Sequence, residues 1–282
     1  MISYFQAVVL GAIQGVTELF PISSLGHSVI IPTLLSWNID QNADFFVVFL
    51  VATHLATALV LLGFFWKDWV KIFQGLVRSI AFRKVKYDAY ARLGWLIVVA
   101  TVPAGILGLV FQKKFAALFG APKSAAVFLV LNGVLLFAAE TFRRRRFSGE
   151  NVSPDEKASK MSWTKSFGIG CVQILALIPG FSRTGAALSG GLFGGLDHES
   201  AARFAFLLAT PIIFAAALLK LPALLHGGYP RGATLAGALF AALGAYLSVK
   251  FLSKYFKTKT LKPFAYYCVI AGIISSVMIF VR

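Results

Sequence analysis

The 282-residue chain is 58% hydrophobic and only 13% charged, with 27 Phe and a mean hydropathy of +0.79. That balance excludes an ordinary soluble domain and predicts an integral membrane protein. The formal charge of +16 does not point to nucleic acid, because the basic residues gather in three loops expected between apolar runs: seven in 67–92, seven in 143–165 and five in 250–262. The positive-inside rule puts these segments on the cytoplasmic side, where Arg143 to Arg146 would meet anionic lipid headgroups.

In chain order, the first elements are a short interrupted pair, about Tyr4 to Phe20 and Leu25 to Leu35, broken by Pro21 and Ser23-Ser24. The leading segment has neither the basic start nor the small-residue cleavage site of a signal peptide, so it reads as part of the mature protein. Spanning candidates follow at Ala43 to Trp66, Leu93 to Phe111 and Ala125 to Thr141. A polar stretch, Arg143 to Lys160, leads to a second interrupted pair, about Trp163 to Ile178 and Thr184 to Leu196, broken by Pro179-Gly180. Three more spans are expected at Phe204 to Leu225, Ala233 to Lys250 and Phe264 to Val281. Cys171 and Cys268 match no metal or disulfide spacing and are expected to serve packing.

The two interrupted pairs are related. A shift of 159 positions lays Ser3 on Ser162, Gly11 on Gly170, Gln14 on Gln173, Ser23 on Ser182 and Gly26 on Gly185. A shift of 157 lays Ala52-Thr53 on Ala209-Thr210. The expected fold is therefore an all-α polytopic membrane protein, a single membrane domain over 1–282 made of halves of about 1–145 and 160–282. Each half has a re-entrant pair and three spans, and an odd span count inverts the second half relative to the first. With the basic segments inside, both termini fall outside, as do the Asp40 and Asp44 loop and the segments 112–123 and 226–231. The broken elements of the two halves should meet near the midplane and form a site there.

Polar and ionisable groups at membrane depth are costly and mark function. Gln14 and Glu18, four apart, share a helix face. Ser23 or Ser24 can cap the helix after Pro21, and His27 lies in that helix's first turn, so carboxylate, hydroxyls and imidazole are expected to face one cavity. Ser182 is the corresponding cap in the second pair, followed by Arg183. Two helix N-termini and a guanidinium around one point suit a phosphate. Ser23, Gly26, Gly180, Ser182, Thr184 and Gly185 are the candidate phosphate-binding positions. Glu18 would repel such a ligand unless a divalent cation, Mg²⁺ or Ca²⁺, bridged them, so Glu18 with Gln14 is the candidate metal site. His27 suits proton transfer, and either Ser24 or His27 could be a nucleophile. His54 reads as a core histidine or a partner behind the site, and Glu140 as an interfacial charge opposite the arginine run.

QGVTE at 14–18, FPISSLGH at 20–27 and PGFSRTG at 179–185 followed by SGG at 189–191 resemble the undecaprenyl-diphosphate phosphatases, often called bacitracin-resistance proteins. THLAT at 53–57 and FAFLLATP at 204–211 extend the resemblance nearly end to end. It implies a metal-dependent phosphatase of the plasma (inner) membrane, active on its outer face and able to dimerise. Such an enzyme would remove the terminal phosphate of undecaprenyl diphosphate to recycle the lipid carrier, with Glu18, Ser24, His27 and Arg183 in catalysis. Gln14 stands where many members carry Glu, and Ala187 where many carry Thr. The partners expected are a polyprenyl diphosphate and membrane lipid, with no nucleic acid. The rival reading is an anion or polyprenyl-phosphate carrier, since broken inverted repeats also build transporters.

Overall fold

The computed structural model describes residues 2–82, 88–111, 114, 118, 120–144, 153–226 and 229–281. Ser3 opens the first helix with a capping box, its hydroxyl accepting from the Gln6 N–H while the Gln6 side chain accepts from the Ser3 N–H. Helix α1, Tyr4–Leu19, ends just before Pro21, and α2, Ser24–Leu34, restarts at the Ser23 cap. There follow α3 (Asp44–Phe64), α4 (Trp66–Phe82), α5 (Ala89–Val110), α6 (Pro122–Arg144), α7 (Pro154–Ser159) and α8 (Trp163–Gln173). A short 3₁₀ turn, Ile174–Leu177, leads to α9 (Arg183–Phe193), α10 (His198–His226), α11 (Arg231–Tyr255) and α12 (Lys262–Val281). No strand occurs among the described residues.

Six helices among the described residues are long and apolar enough to cross a membrane: α3, α5, α11, α12 and the Pro122–Arg143 and His198–Leu219 parts of α6 and α10. They coincide with the six expected runs. Helices α1, α2, α8 and α9, with 16, 11, 11 and 11 residues, are each too short to span a core of about 30 Å at 1.5 Å per residue.

Packing turns on small residues. Gly11 and Gly15 of α1 meet Gly237 and Ala241 of α11 so closely that a Cβ at either glycine would lie 2.1 Å from a carbonyl oxygen of α11. Close backbone approach replaces the hydrophobic effect as the source of helix association in lipid. The opposite face of α11 exposes Leu235, Leu239, Leu243 and Leu247, as a lipid-facing surface should. Helix α8 packs on α5 as α1 packs on α11.

Two expectations are corrected at the end where the basic segments gather. The segment 67–92 is not simply a loop, because its first part is helix α4, whose residues divide into three faces. Ile72, Gly75 and Ser79 are buried against α5, while Trp66, Phe73, Val77 and Ile80 are exposed and Lys67, Lys71 and Arg78 lie between. Glu140 is buried rather than interfacial: its Oε2 accepts from His198 Nε2 at 2.8 Å and from the Leu261 N–H at 3.2 Å, because a carboxylate inside the bundle needs donors. Arg145 and Arg146 of the arginine run lie outside the described residues, as do 83–87 of the first basic segment and most of 112–119. Arg203 joins Asp68 of α4 to Asp155 of α7, and Lys157 pairs with Asp197 at 2.6 Å. Burial pushes the Asp197 carboxyl up, but hydrogen bonds from Lys157 and Ser200 outweigh it and hold its pKa below the ordinary value.

Candidate active site

The two helix breaks meet. On the first side, Ser23 adopts φ 70°, a backbone conformation that costs a non-glycine residue about 1–3 kcal/mol. Its own groups hold it there, the hydroxyl accepting from the Gly26 N–H at 3.2 Å and the carbonyl from the His27 ring at 2.6 Å. On the second side Ser182 caps α9 in the same way, accepting from the Gly185 N–H at 3.1 Å. Gly180 makes this turn with φ 106°, and a Cβ there would lie 2.4 Å from the Ala125 carbonyl oxygen.

Glu18, 4% exposed in the last turn of α1, stands between the breaks. The Ser24 hydroxyl donates to its Oε2 in a short hydrogen bond. Gln14 Nε2 lies 3.5 Å from the same oxygen, while Gln14 Oε1 accepts from Thr57 at 3.1 Å. Arg183 reaches across from α9, its Nη2 3.6 Å from Glu18 Oε1. Thr184 donates to the Glu18 backbone carbonyl at 2.8 Å, which ties α9 to the end of α1. The Ser23, Ser182 and Thr184 hydroxyls are thus committed to backbone partners, and Ser24 is the hydroxyl directed at the carboxylate.

Of the two histidines, His27 departs from its expected place, whereas His54 is the partner behind the site, one of its two expected readings. His27 does not face Glu18. Its Nδ1 sits 2.6 Å from the Ser23 carbonyl oxygen and must carry the proton, so Nε2 is left to accept from the Tyr267 hydroxyl at 2.7 Å, and the two rings stack. The carbonyl one turn back captures the ring and aims it at α12. His54 instead joins the site, with Nε2 3.1 Å from Glu18 Oε2 and Nδ1 2.6 Å from the Leu50 carbonyl oxygen. That carbonyl takes the Nδ1 proton and a carboxylate offers only lone pairs, so the Nε2 contact also contains a proton. A polar residue inside the apolar run ATHLATALV was the available signal for His54 and Thr57, whereas nothing near Tyr267 in sequence pairs it with His27.

Beside Glu18 and Ser24 a narrow space bounded by Phe181, Ser182 and Arg183 shares Leu25, Ala176 and Arg183 with a larger cavity of about 280 Å³. The larger cavity is walled by Leu50 and Val51 of α3, Ala104 and Gly108 of α5, and Ile213 and Ala217 of α10. Its polar residues include His54, Gln173 and Arg183. Arg183 Nη1 and Gln173 Nε2 are buried donors with no partner among the described residues, suited to an anionic oxygen. The arrangement therefore couples a hydroxyl on a carboxylate, a guanidinium and an adjoining apolar chamber.

As for a metal, no group of three or more His, Cys, Asp or Glu able to hold one occurs among the described residues. The donor set is one carboxylate, Glu18, with the Gln14 amide beside it. Gln14 turns Nε2 to the carboxylate and gives Oε1 to Thr57, so Glu18 is the anionic ligand of this pair and the remaining ligands of a cation would come from water or a phosphate.

The family profile described as "Bacitracin resistance protein BacA" matches residues 7–274. A protein of Mycolicibacterium paratuberculosis named undecaprenyl-diphosphatase is 44% identical over 303 aligned positions, covering 100% of this chain and 99% of its own length. Proteins named undecaprenyl-diphosphatase 2 from Frankia alni and Chromobacterium violaceum are 40% and 43% identical, with 98% and 95% of this chain covered and 98% and 96% of their own. With a profile and relatives that match it nearly end to end, this chain belongs to the BacA family of bacitracin resistance proteins.

Proposed function

We propose that the chain hydrolyses undecaprenyl diphosphate to undecaprenyl phosphate and inorganic phosphate, recycling the lipid carrier of cell-envelope synthesis. The observation that carries this reading is the Ser24 hydroxyl donating to buried Glu18 with Arg183 opposite, at the mouth of an apolar cavity. The cavity takes the start of the prenyl chain, and the diphosphate lies against Arg183 and the Gln173 Nε2.

Ser24 Oγ attacks the terminal phosphorus as its proton passes to Glu18. The bond to the bridging oxygen breaks, and undecaprenyl phosphate leaves with the electron pair. Water then attacks the phosphoserine, returns the hydroxyl to Ser24 and releases phosphate. Arg183 meets the charge that develops on the transferred group. His54, fixed by the Leu50 carbonyl, holds the Glu18 carboxylate in place. His27 supports the Ser23 turn and hands its other nitrogen to Tyr267, a role in positioning rather than attack. A divalent cation, Mg²⁺ or Ca²⁺, would be held by Glu18 with Gln14 and would neutralise diphosphate charge when bound.

The pairing of α1 with α11 and of α8 with α5, each broken helix lying on a span of the other half, supports an inverted repeat with re-entrant pairs. The basic segments support a plasma-membrane orientation with that end inside and the termini outside. A carrier is the weaker reading, because the relatives carry the phosphatase name and a buried hydroxyl on a carboxylate serves group transfer. The purified protein in vesicles, given undecaprenyl diphosphate labelled in its terminal phosphate, is expected to release free labelled phosphate. Transbilayer movement of intact lipid without release would overturn the reading.

A further inference from the structure

Asn132 lies in the middle of the spanning helix α6, between Leu131 and Gly133, and is wholly buried. A neutral amide at that depth is costly unless every group is paired. Its two ends are paired with different halves of the site. Nδ2 donates to the Pro21 carbonyl at 2.9 Å, in the turn between Glu18 and Ser24, and also faces Cys268 Sγ at 3.3 Å. Oδ1 accepts the Ser182 N–H at 3.0 Å, one residue before Arg183.

We propose that Asn132 is a positioning residue that sets the separation of Ser24 and Arg183 by clamping the two helix breaks to α6. This rests on the reading of Ser24, Glu18 and Arg183 as the reacting group. Other ties between the breaks among the described residues run directly from one to the other: Thr184 to the Glu18 carbonyl, Arg183 to the Glu18 carboxylate at 3.6 Å, and a long Ser182 to Phe20 contact at 3.4 Å. Asn132 alone among these ties comes from a third element, and it needs both a donor and an acceptor. The space is also tight, since a Cβ at Gly185 would meet Oδ1 at 3.2 Å. Asn is the side chain of this size that offers both functions without charge. Asp keeps the acceptor for Ser182 but sets an oxygen against the Pro21 carbonyl, and Leu loses both.

Displacement of a reacting group by about 1 Å costs on the order of 100-fold in rate. The test measures kcat and KM for phosphate release from undecaprenyl diphosphate in Asn132→Leu, Asn132→Asp and Asn132→Leu/Arg183→Ala, with thermal unfolding of each in the same detergent. The expected result is a kcat lowered about 10- to 100-fold with KM within about twofold. The loss in the double variant should fall short of the product of the two single losses, because a guanidinium that is gone cannot be misplaced. Should Asn132→Leu fail to fold, Asn132→Asp, of the same size, carries the comparison. A folded single variant with wild-type kcat overturns the proposal, as does a loss that multiplies fully with that of Arg183→Ala. An inactive wild-type protein would instead refute the reaction itself, so the two failures are distinct.

Discussion

Glu18 collects side chains from four helices: Gln14 of its own, Ser24 of α2, His54 of α3 and Arg183 of α9. Much of that set is legible in sequence, because a carboxylate, a serine pair and an arginine inside apolar runs have no cheap structural explanation. The imidazole was not. Spacing places His27 near Ser24 on one helical turn, but spacing cannot say which neighbour claims a ring nitrogen, and the Ser23 carbonyl with Tyr267 does. The two histidines should therefore separate in kinetics. His54→Ala, Glu18→Gln and Arg183→Ala are each expected to lower kcat about 100-fold, whereas Tyr267→Phe, which only frees His27 Nε2, should cost less than about tenfold. Phosphate-release assays on the purified variants check this, and a greater loss in Tyr267→Phe than in His54→Ala would reverse the assignment.

The helix breaks are the elements on which the site depends. Pro21 and the Ser23 cap, and Pro179-Gly180 with the Ser182 cap, are readable from residue type alone, because proline ends helices and serine starts them. The span on which each broken helix packs was not readable, since small residues license close approach without naming the surface approached. Gly11 and Gly15 meet α11 across more than 200 positions of sequence. Gly11→Leu would drive a side chain into the Gly237 carbonyl and is expected to cost roughly 3 kcal/mol or more, read as a lowered unfolding temperature in detergent. Helix α4 escaped the hydropathy reading because Lys67, Asp68, Lys71 and Arg78 interrupt its apolar residues before they make a run long enough to span. Its apolar face suits the bilayer interface. In a background free of Cys171 and Cys268, a nitroxide at Phe73→Cys is expected to be reached by oxygen from lipid, and one at Arg78→Cys by a water-soluble relaxant. Equal aqueous access at both would contradict that placement.

At the scale of the molecule, six helices among the described residues are long and apolar enough to cross a membrane, four shorter ones pack against them, and the site opens into the chamber between α3, α5 and α10. The span count was legible because each run is long and continuous, whereas a cavity depends on how spans tilt and pack, which periodicity does not encode. Filling the chamber with Ala216→Trp should raise KM for undecaprenyl diphosphate about tenfold, some 1.4 kcal/mol of binding, and leave that for a short prenyl diphosphate within about twofold. In the proposed reaction all of this serves one event, transfer of the terminal phosphoryl group to Ser24 under Arg183. Rapid quenching of the enzyme with undecaprenyl diphosphate labelled in its terminal phosphate, followed by peptide mapping, tests that event directly. Label on Ser24, absent from Ser24→Ala, is the predicted result. Full turnover by Ser24→Ala, with label passing straight to free phosphate, would contradict it.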